Sequence, residues 1–145
     1  MTGGGSALGA AVGCHLLGRG ANVAFADIDI ARARDEASRN EARALALRVD
    51  VTDPASVEAA IVRVTQRFGA LRGVVNCAGI APAQRIVGKE GVRALEPFGK
   101  VVNVNLIGTF NVMRLAAVAM ANNTPDARGE RGVIVNTASV AAYDG

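Results

Sequence analysis

The sequence predicts an α/β fold, a doubly wound parallel sheet with helices on both faces. Three observations carry this. Short aliphatic runs alternate regularly with longer, more polar segments, as expected for strand–helix units joined by right-handed crossovers. Half of the 145 residues are hydrophobic but only 3% are aromatic, and 17 are glycine. Small and β-branched side chains of this kind suit helices lying close on a sheet buried on both sides. Finally, the chain opens on Gly3-Gly4-Gly5-Ser6-Ala7-Leu8-Gly9, a turn of the type that leads from a buried strand into a helix.

The elements follow in order. Ala7 to Leu17 reads as a helix closed by Gly18-Arg19-Gly20. Asn22 to Ala26 is a buried strand ending at Asp27. Ile30 to about Arg43 is a polar helix with Arg32, Arg34, Asp35, Glu36 and Arg39 in water. Ala44 to Val49 is a second strand, ending at Asp50. Asp53-Pro54 combines an N-cap acceptor with proline at the first helical position, and the helix it opens runs to Phe68 and stops at Gly69. Gly73 to Asn76 is a third strand. Residues 80–95 read as loop. From Pro97 to about Met120, Val101, Val102 and Val104 favour strand, but length and the spacing of Val104, Ile107 and Val112 favour helix. Asn122 to Gly132 is a polar turn region before a fourth strand, Val133 to Asn136. The whole reads as one partial domain, residues 1–145, with the expectation that it is truncated at both ends.

Composition narrows the function classes. With 16 basic and 13 acidic residues the net charge is +3. The charges are interspersed, which favours a solvated surface over a nucleic-acid patch, and stacking aromatics are scarce. Cys14 and Cys77 form no disulfide framework. His15 adjoins Cys14, but neighbouring helical residues point apart and make a poor metal pair, so no metal is expected. The start of the chain lacks the basic region of a signal peptide, and no apolar run approaches the ~20 residues of a membrane helix. A reduced, cytoplasmic setting without membrane contact is the expectation.

The glycine turn would bring bare backbone N–H groups against a diphosphate at the positive end of a helix dipole. Asp27 ends the next strand, about 20 residues beyond the turn. A carboxylate there can accept both hydroxyls of an adenosine ribose and repels a 2′-phosphate, which favours NAD over NADP. The plainer alternative is an acid capping the following helix. Arg32 and Arg34 could serve a 2′-phosphate but are expected on that helix's exposed face.

Five ordered motifs then become recognisable: Thr2-Gly3-x-x-x-Ala7-x-Gly9, Asp50-Val51-Thr52, Asn76-Cys77-Ala78-Gly79, Asn103-Val104-Asn105-Leu106-x-Gly108-Thr109 and Asn136-Thr137-Ala138-Ser139. Together they resemble the short-chain dehydrogenase/reductase family, over essentially the whole chain. The wording of residues 105–115 and 131–142 is similar to the branch containing type-2 3-hydroxyacyl-CoA dehydrogenases, which also act on hydroxysteroids. The resemblance implies a Rossmann-like sheet and an NAD-dependent oxidoreductase acting on a small molecule, an acyl-CoA or a hydroxysteroid-like alcohol, with the full-length form a homo-oligomer. It implies that Gly3, Ser6, Leu8 and Gly9 wrap the diphosphate and its ribose, that Asp27 holds the adenosine ribose, and that Asp50 and Val51 meet the adenine. Asn76, Cys77, Ala78 and Gly79 would form the turn under the nicotinamide half. Cys77 would serve there through its backbone, since no base accompanies the thiol.

The same resemblance makes Ser139 the catalytic serine, donating to the substrate oxygen, where the bland reading is a strand-end cap. It makes Asn105 the holder of a water in a proton relay. Asparagine is a poor helix residue, although a helix-surface role is the alternative. Two departures stand out. Ala7 replaces the middle glycine, so cofactor binding is expected to be weakened rather than abolished, unless the backbone there needs a positive φ. The family's tyrosine–lysine pair falls beyond Gly145. Tyr143 lies too close to Ser139 to replace that tyrosine, so the 145 residues alone are expected to be inactive. Two other classes compete, a non-catalytic nucleotide-binding module and, more weakly, an S-adenosylmethionine methyltransferase.

Overall fold

A computed structural model describes residues 1–82, 85–88 and 91–141. Tyr143 lies outside the described residues. The elements are α1 (Ala7–Gly18), β1 (Val23–Asp27), α2 (Ile30–Ala37), β2 (Ala44–Arg48), α3 (Pro54–Phe68), β3 (Gly73–Asn76), the two-residue strands β4 (Val87–Gly88) and β5 (Gly91–Val92), α4 (Glu96–Val102), α5 (Thr109–Ala121) and β6 (Val133–Asn136). A π-helical turn, Asn103–Gly108, joins α4 to α5.

β1 pairs with β2 and β3 with β6, both in parallel, with Val23 opposite Ala44 and Gly73 opposite Val133. Thr2 links the two pairs by bridging Ala26 of β1 and Asn76 of β3. The order across the sheet is therefore β2, β1, Met1–Thr2, β3, β6. Thr2 N–H donates to Val75 O (3.0 Å), Ala26 N–H to Met1 O (2.9 Å) and Cys77 N–H to Thr2 O (3.2 Å).

The pleat sends alternate side chains to opposite faces, and the core divides accordingly. Val23 and Phe25 of β1 join Ala44 of β2 and pack under α1 and α2 with Leu17, Ala33 and Ala37. Ala26 and Leu47 face the other way, with Val57 of α3, Val74 of β3 and Val112, Ala116 and Met120 of α5. Helices thus cover both faces, as the alternation predicted. Phe25 is the largest fully buried side chain, and it fits because residue 13 of α1 is glycine: a Cβ there would run into its ring.

Three expectations change. α2 ends at Ala37 and gives way to a short 3-10 turn, Ser38–Asn40, because polar side chains divert the backbone: Ser38 Oγ donates to Asp35 O (2.8 Å) and Asn40 Oδ1 accepts from Arg43 N–H (3.3 Å). Residues 80–95 include the small antiparallel β4–β5 pair. The segment from Pro97 is helical as expected, its strand-favouring Val101 and Val102 included. The continuous helix Glu96–Ala121 is, by length and composition, apolar enough to cross a membrane, whereas no such run was expected. Its buried residues Val112, Ala116 and Met120 pack into the domain core.

Candidate cofactor and active site

The predicted binding residues meet at the C-terminal edge of the parallel strands, where ligands of open α/β sheets bind. The glycine turn is pressed against the turn after β3. A Cβ on Gly3, whose φ is +61°, would lie 2.8 Å from Ala78 N and from Cys77 C. A Cβ on Gly9 would collide with the carbonyl of Gly3. Only bare backbone allows α1 to start this close to the sheet. Ser6 and Leu8 are exposed at the start of α1, and Ser6, its N-cap, makes no side-chain cap. The first-turn N–H groups have no intrahelical acceptors and suit an anion.

Asp27 faces this turn. Its Oδ2 accepts from Gly5 N–H (2.9 Å) and its Oδ1 from Asp29 N–H (3.0 Å). The cap of α2 is Asp29, which accepts from Ala31 and Arg32 N–H (3.1 and 3.4 Å); the plain capping role considered for Asp27 falls to its neighbour. Arg32, mostly exposed, pairs with Asp29 (3.4 Å).

Asp50 and Val51 follow β2. Asp50 Oδ1 accepts from Thr52 N–H (2.9 Å) and Thr52 Oγ1 (2.7 Å). Those bonds hold the carboxyl below its ordinary range, so it is ionised at neutral pH, with Oδ2 left to receive a donor. Asn76 is buried and cross-links the sheet, donating to Asn136 Oδ1 (2.8 Å) and accepting from Thr2 Oγ1 (3.3 Å). The Thr2 hydroxyl also accepts from Cys77 and Ala78 N–H (3.2 and 3.3 Å). Burial pushes the Cys77 thiol above its usual range, the reverse of what a nucleophile needs.

Asn105 sits in the π-helical turn, a distortion common at functional sites. Its side chain grips one residue through both backbone groups: Oδ1 accepts from Ile80 N–H (2.9 Å) and Nδ2 donates to Ile80 O (2.8 Å). Its Oδ1 is also 3.4 Å from the position a Cβ on Gly79 would take. An apolar cavity of about 600 Å³, lined by Ile80, Ala81, Pro82, Glu96, Pro97 and Lys100, opens beside this turn. Ser139 is exposed beyond β6, and its Oγ accepts from Ala141 N–H (3.2 Å). Thr137 fixes the exit of β6 by bonding Asn76 O through N–H (3.1 Å) and Oγ1 (2.9 Å).

The family model described as short chain dehydrogenase matches residues 1–145. The chain belongs to the short-chain dehydrogenase family. It is similar to the 3-hydroxyacyl-CoA dehydrogenase type-2 of Rattus norvegicus, at 44% identity over all of this chain and 56% of that protein. The human protein of the same name is 42% identical over the same shares. A crystal structure of 3-hydroxyacyl-CoA dehydrogenase type-2 from Mycobacterium avium matches with a TM-score of 0.91 at 38% identity, over 99% of this chain and 56% of that one. Sorbitol-6-phosphate 2-dehydrogenase from Erwinia amylovora matches with a TM-score of 0.78 at 34% identity, over 93% and 51%. The chain spans about half the length of the curated relatives it matches.

Within this short-chain dehydrogenase chain, the structure gathers the glycine turn, Asp27 and the Asn76–Gly79 turn, and it ties Asn105 to the residue after that turn. Ser139 makes no hydrogen bond to the other candidates among the described residues. Sequence reasoning missed Thr2 as a site residue, along with Ile80, Gly108 and Asn111. An asparagine inside an apolar helix was the available signal for Asn111.

Proposed function

We propose that the chain is the cofactor-binding part of an NAD-dependent oxidoreductase that moves hydride between NAD and a secondary alcohol or ketone. The observation that carries this reading is the Asp27 carboxylate, held 2.9 Å from the Gly5 amide at the mouth of the glycine turn. Free helix N-terminal amides for a diphosphate and an adjacent acid for ribose hydroxyls are the donor set that NAD requires. Bound NAD supplies a hydride acceptor at its nicotinamide C4. The chain's own residues bind and orient. Gly3, Ser6, Leu8 and Gly9 wrap the diphosphate, Asp27 holds the ribose, Asp50 and Val51 meet the adenine, and Asn76, Cys77, Ala78 and Gly79 floor the nicotinamide half. Ser139 Oγ donates to the substrate oxygen as negative charge develops, and Asn105 holds a water of the proton path.

The substrate class proposed is a 3-hydroxyacyl-CoA or a similar hydroxy compound, such as a hydroxysteroid, in keeping with the names of the relatives. The 145 residues form one domain and, taken alone, are inactive. The longer form pairs through the Glu96–Ala121 helix, whose Phe98, Leu106, Phe110 and Val118 are exposed. A cytoplasmic setting is in keeping with the free thiols of Cys14 and Cys77.

Calorimetric titration with NAD+ and NADP+ tests the cofactor reading. NAD+ should bind more tightly, and Asp27→Ala should weaken NAD+ about tenfold, the value of one charge-assisted hydrogen bond, and erase the preference. Equal binding of both cofactors by the unaltered chain, or displacement of NAD+ by S-adenosylmethionine, would overturn it. Oxidation of 3-hydroxybutyryl-CoA by the 145-residue chain would refute the absence of turnover.

A further inference from the structure

One buried polar side chain near the site has no role in the account above. Asn111 is 5% exposed, on the inner face of α5. Its Nδ2 donates to Val51 O (2.9 Å). Its Oδ1 accepts from Arg114 Nε (3.1 Å) and Nη2 (2.8 Å). An amide can face either way, and the two guanidinium donors fix this one with its NH₂ group toward Val51.

The carbonyl of Val51 and the N–H of Thr52 belong to one peptide unit and point in opposite directions, because the peptide is trans and planar. The carbonyl end is held by Asn111. The N–H end is held by Asp50 Oδ1 (2.9 Å). A single rigid plane therefore connects the buried amide to the carboxylate assigned to the adenine. The helix supports the same loop nearby: a Cβ on Gly108 would lie 2.6 Å from Val51 Cγ2. Gly108 and Asn111 thus both meet Val51, while Asn105, earlier in the same helix, holds Ile80.

We propose that Asn111 is a positioning residue for adenine recognition: through the Val51–Thr52 peptide it sets the orientation of the Asp50 carboxylate toward the exocyclic amine of the adenine. Asparagine is needed because the carbonyl requires a donor and the guanidinium an acceptor, at a buried point where an unmet partner is costly. This rests on the dinucleotide reading above and adds a residue that acts without touching the ligand.

The test compares NAD+ with nicotinamide hypoxanthine dinucleotide, which lacks the exocyclic amine, by calorimetric titration of the chain. The unaltered chain should prefer NAD+. Asn111→Leu should weaken NAD+ about tenfold while leaving hypoxanthine dinucleotide affinity near its starting value, so the preference disappears. A merely structural role would weaken both equally. Arg114→Met, at an exposed position, frees the amide to turn and should shift the preference the same way by a smaller factor. It keeps the test open if Asn111→Leu does not fold. Failure of the unaltered chain to bind NAD+ overturns the dinucleotide reading and this inference together. Binding without preference for the amine, or a preference that survives both substitutions, overturns this inference alone.

Discussion

Ala7 stands where the glycine pattern calls for glycine, and it is the one non-glycine residue with positive φ (+43°) among the described residues. The Cβ of an L-residue in the left-handed region crowds the following carbonyl, at a cost of roughly 1–2 kcal/mol. Replacing alanine by glycine removes that strain but adds about 0.5–1 kcal/mol of backbone entropy to the unfolded chain. The net for Ala7→Gly is a stabilisation centred on about 0.75 kcal/mol, within roughly 0–1.5 kcal/mol. With a urea m-value of about 2 kcal/mol/M, the unfolding midpoint should rise by about 0.4 M with the slope unchanged. The sign is the informative quantity. In an ordinary right-handed helix position the same substitution costs about 1 kcal/mol. A midpoint that falls would therefore show that residue 7 is not left-handed and that the turn is built differently. The exposed methyl also lies at the first turn of α1, where the diphosphate is proposed to sit, so NAD+ affinity should rise together with stability.

Three further outcomes follow from the packing and the titrating groups. Gly13→Ala drives a methyl into the Phe25 ring and should destabilise by about 1–3 kcal/mol through overpacking; a urea midpoint within error of the original would refute that contact. The Asp50 carboxyl is held low mainly by the Thr52 hydroxyl and amide, so its folded pKa lies below the unfolded value of about 3.9. Its contribution to stability is present above that pH and lost as pH falls through the folded pKa. Thr52→Val should flatten this acid limb, and unfolding curves between pH 5 and about 2.5 that match the original would contradict the assignment. Burial raises the Cys77 thiol, so iodoacetamide at pH 7.5, followed by mass spectrometry, should label Cys77 more slowly than a free cysteine of pKa about 8.5. Labelling at the free-cysteine rate would place the thiol in water.

The sequence was most legible where a boundary is written in local chemistry. α3 begins and ends where expected, at Pro54 and Phe68, because Asp53 accepts from Ala55 N–H (3.0 Å) and Gly69 takes a φ of +86° that closes the helix. β3 and β6 also match, since each is an aliphatic run ending in an asparagine. The end of α2 was harder to read because helical charge patterning continues past Ala37, and only the side chains of Ser38 and Asn40 divert the backbone. β4 and β5 have two residues each, too few for any periodic signal. Met1 and Thr2 are likewise too short to read as a strand, yet they occupy the centre of the sheet through bonds to residues far along the chain.

The site shows the same division between local and distant information. The glycines and Asp27 were readable because spacing along the chain forces them together: a turn, a helix and one strand bring Gly5 within 2.9 Å of the acid. Asn111 was not, because its partner Val51 lies 60 residues away and nothing in either local sequence names the other. What joins them is the packing of α5 on the loop after β2, close enough only because residue 108 is glycine. A motif can record which atoms meet a ligand, but the orientation of those atoms depends on groups supplied from across the fold. On the role proposed for Asn111, substitutions on the buried face of α5 should alter nucleotide preference without removing any group that meets the ligand.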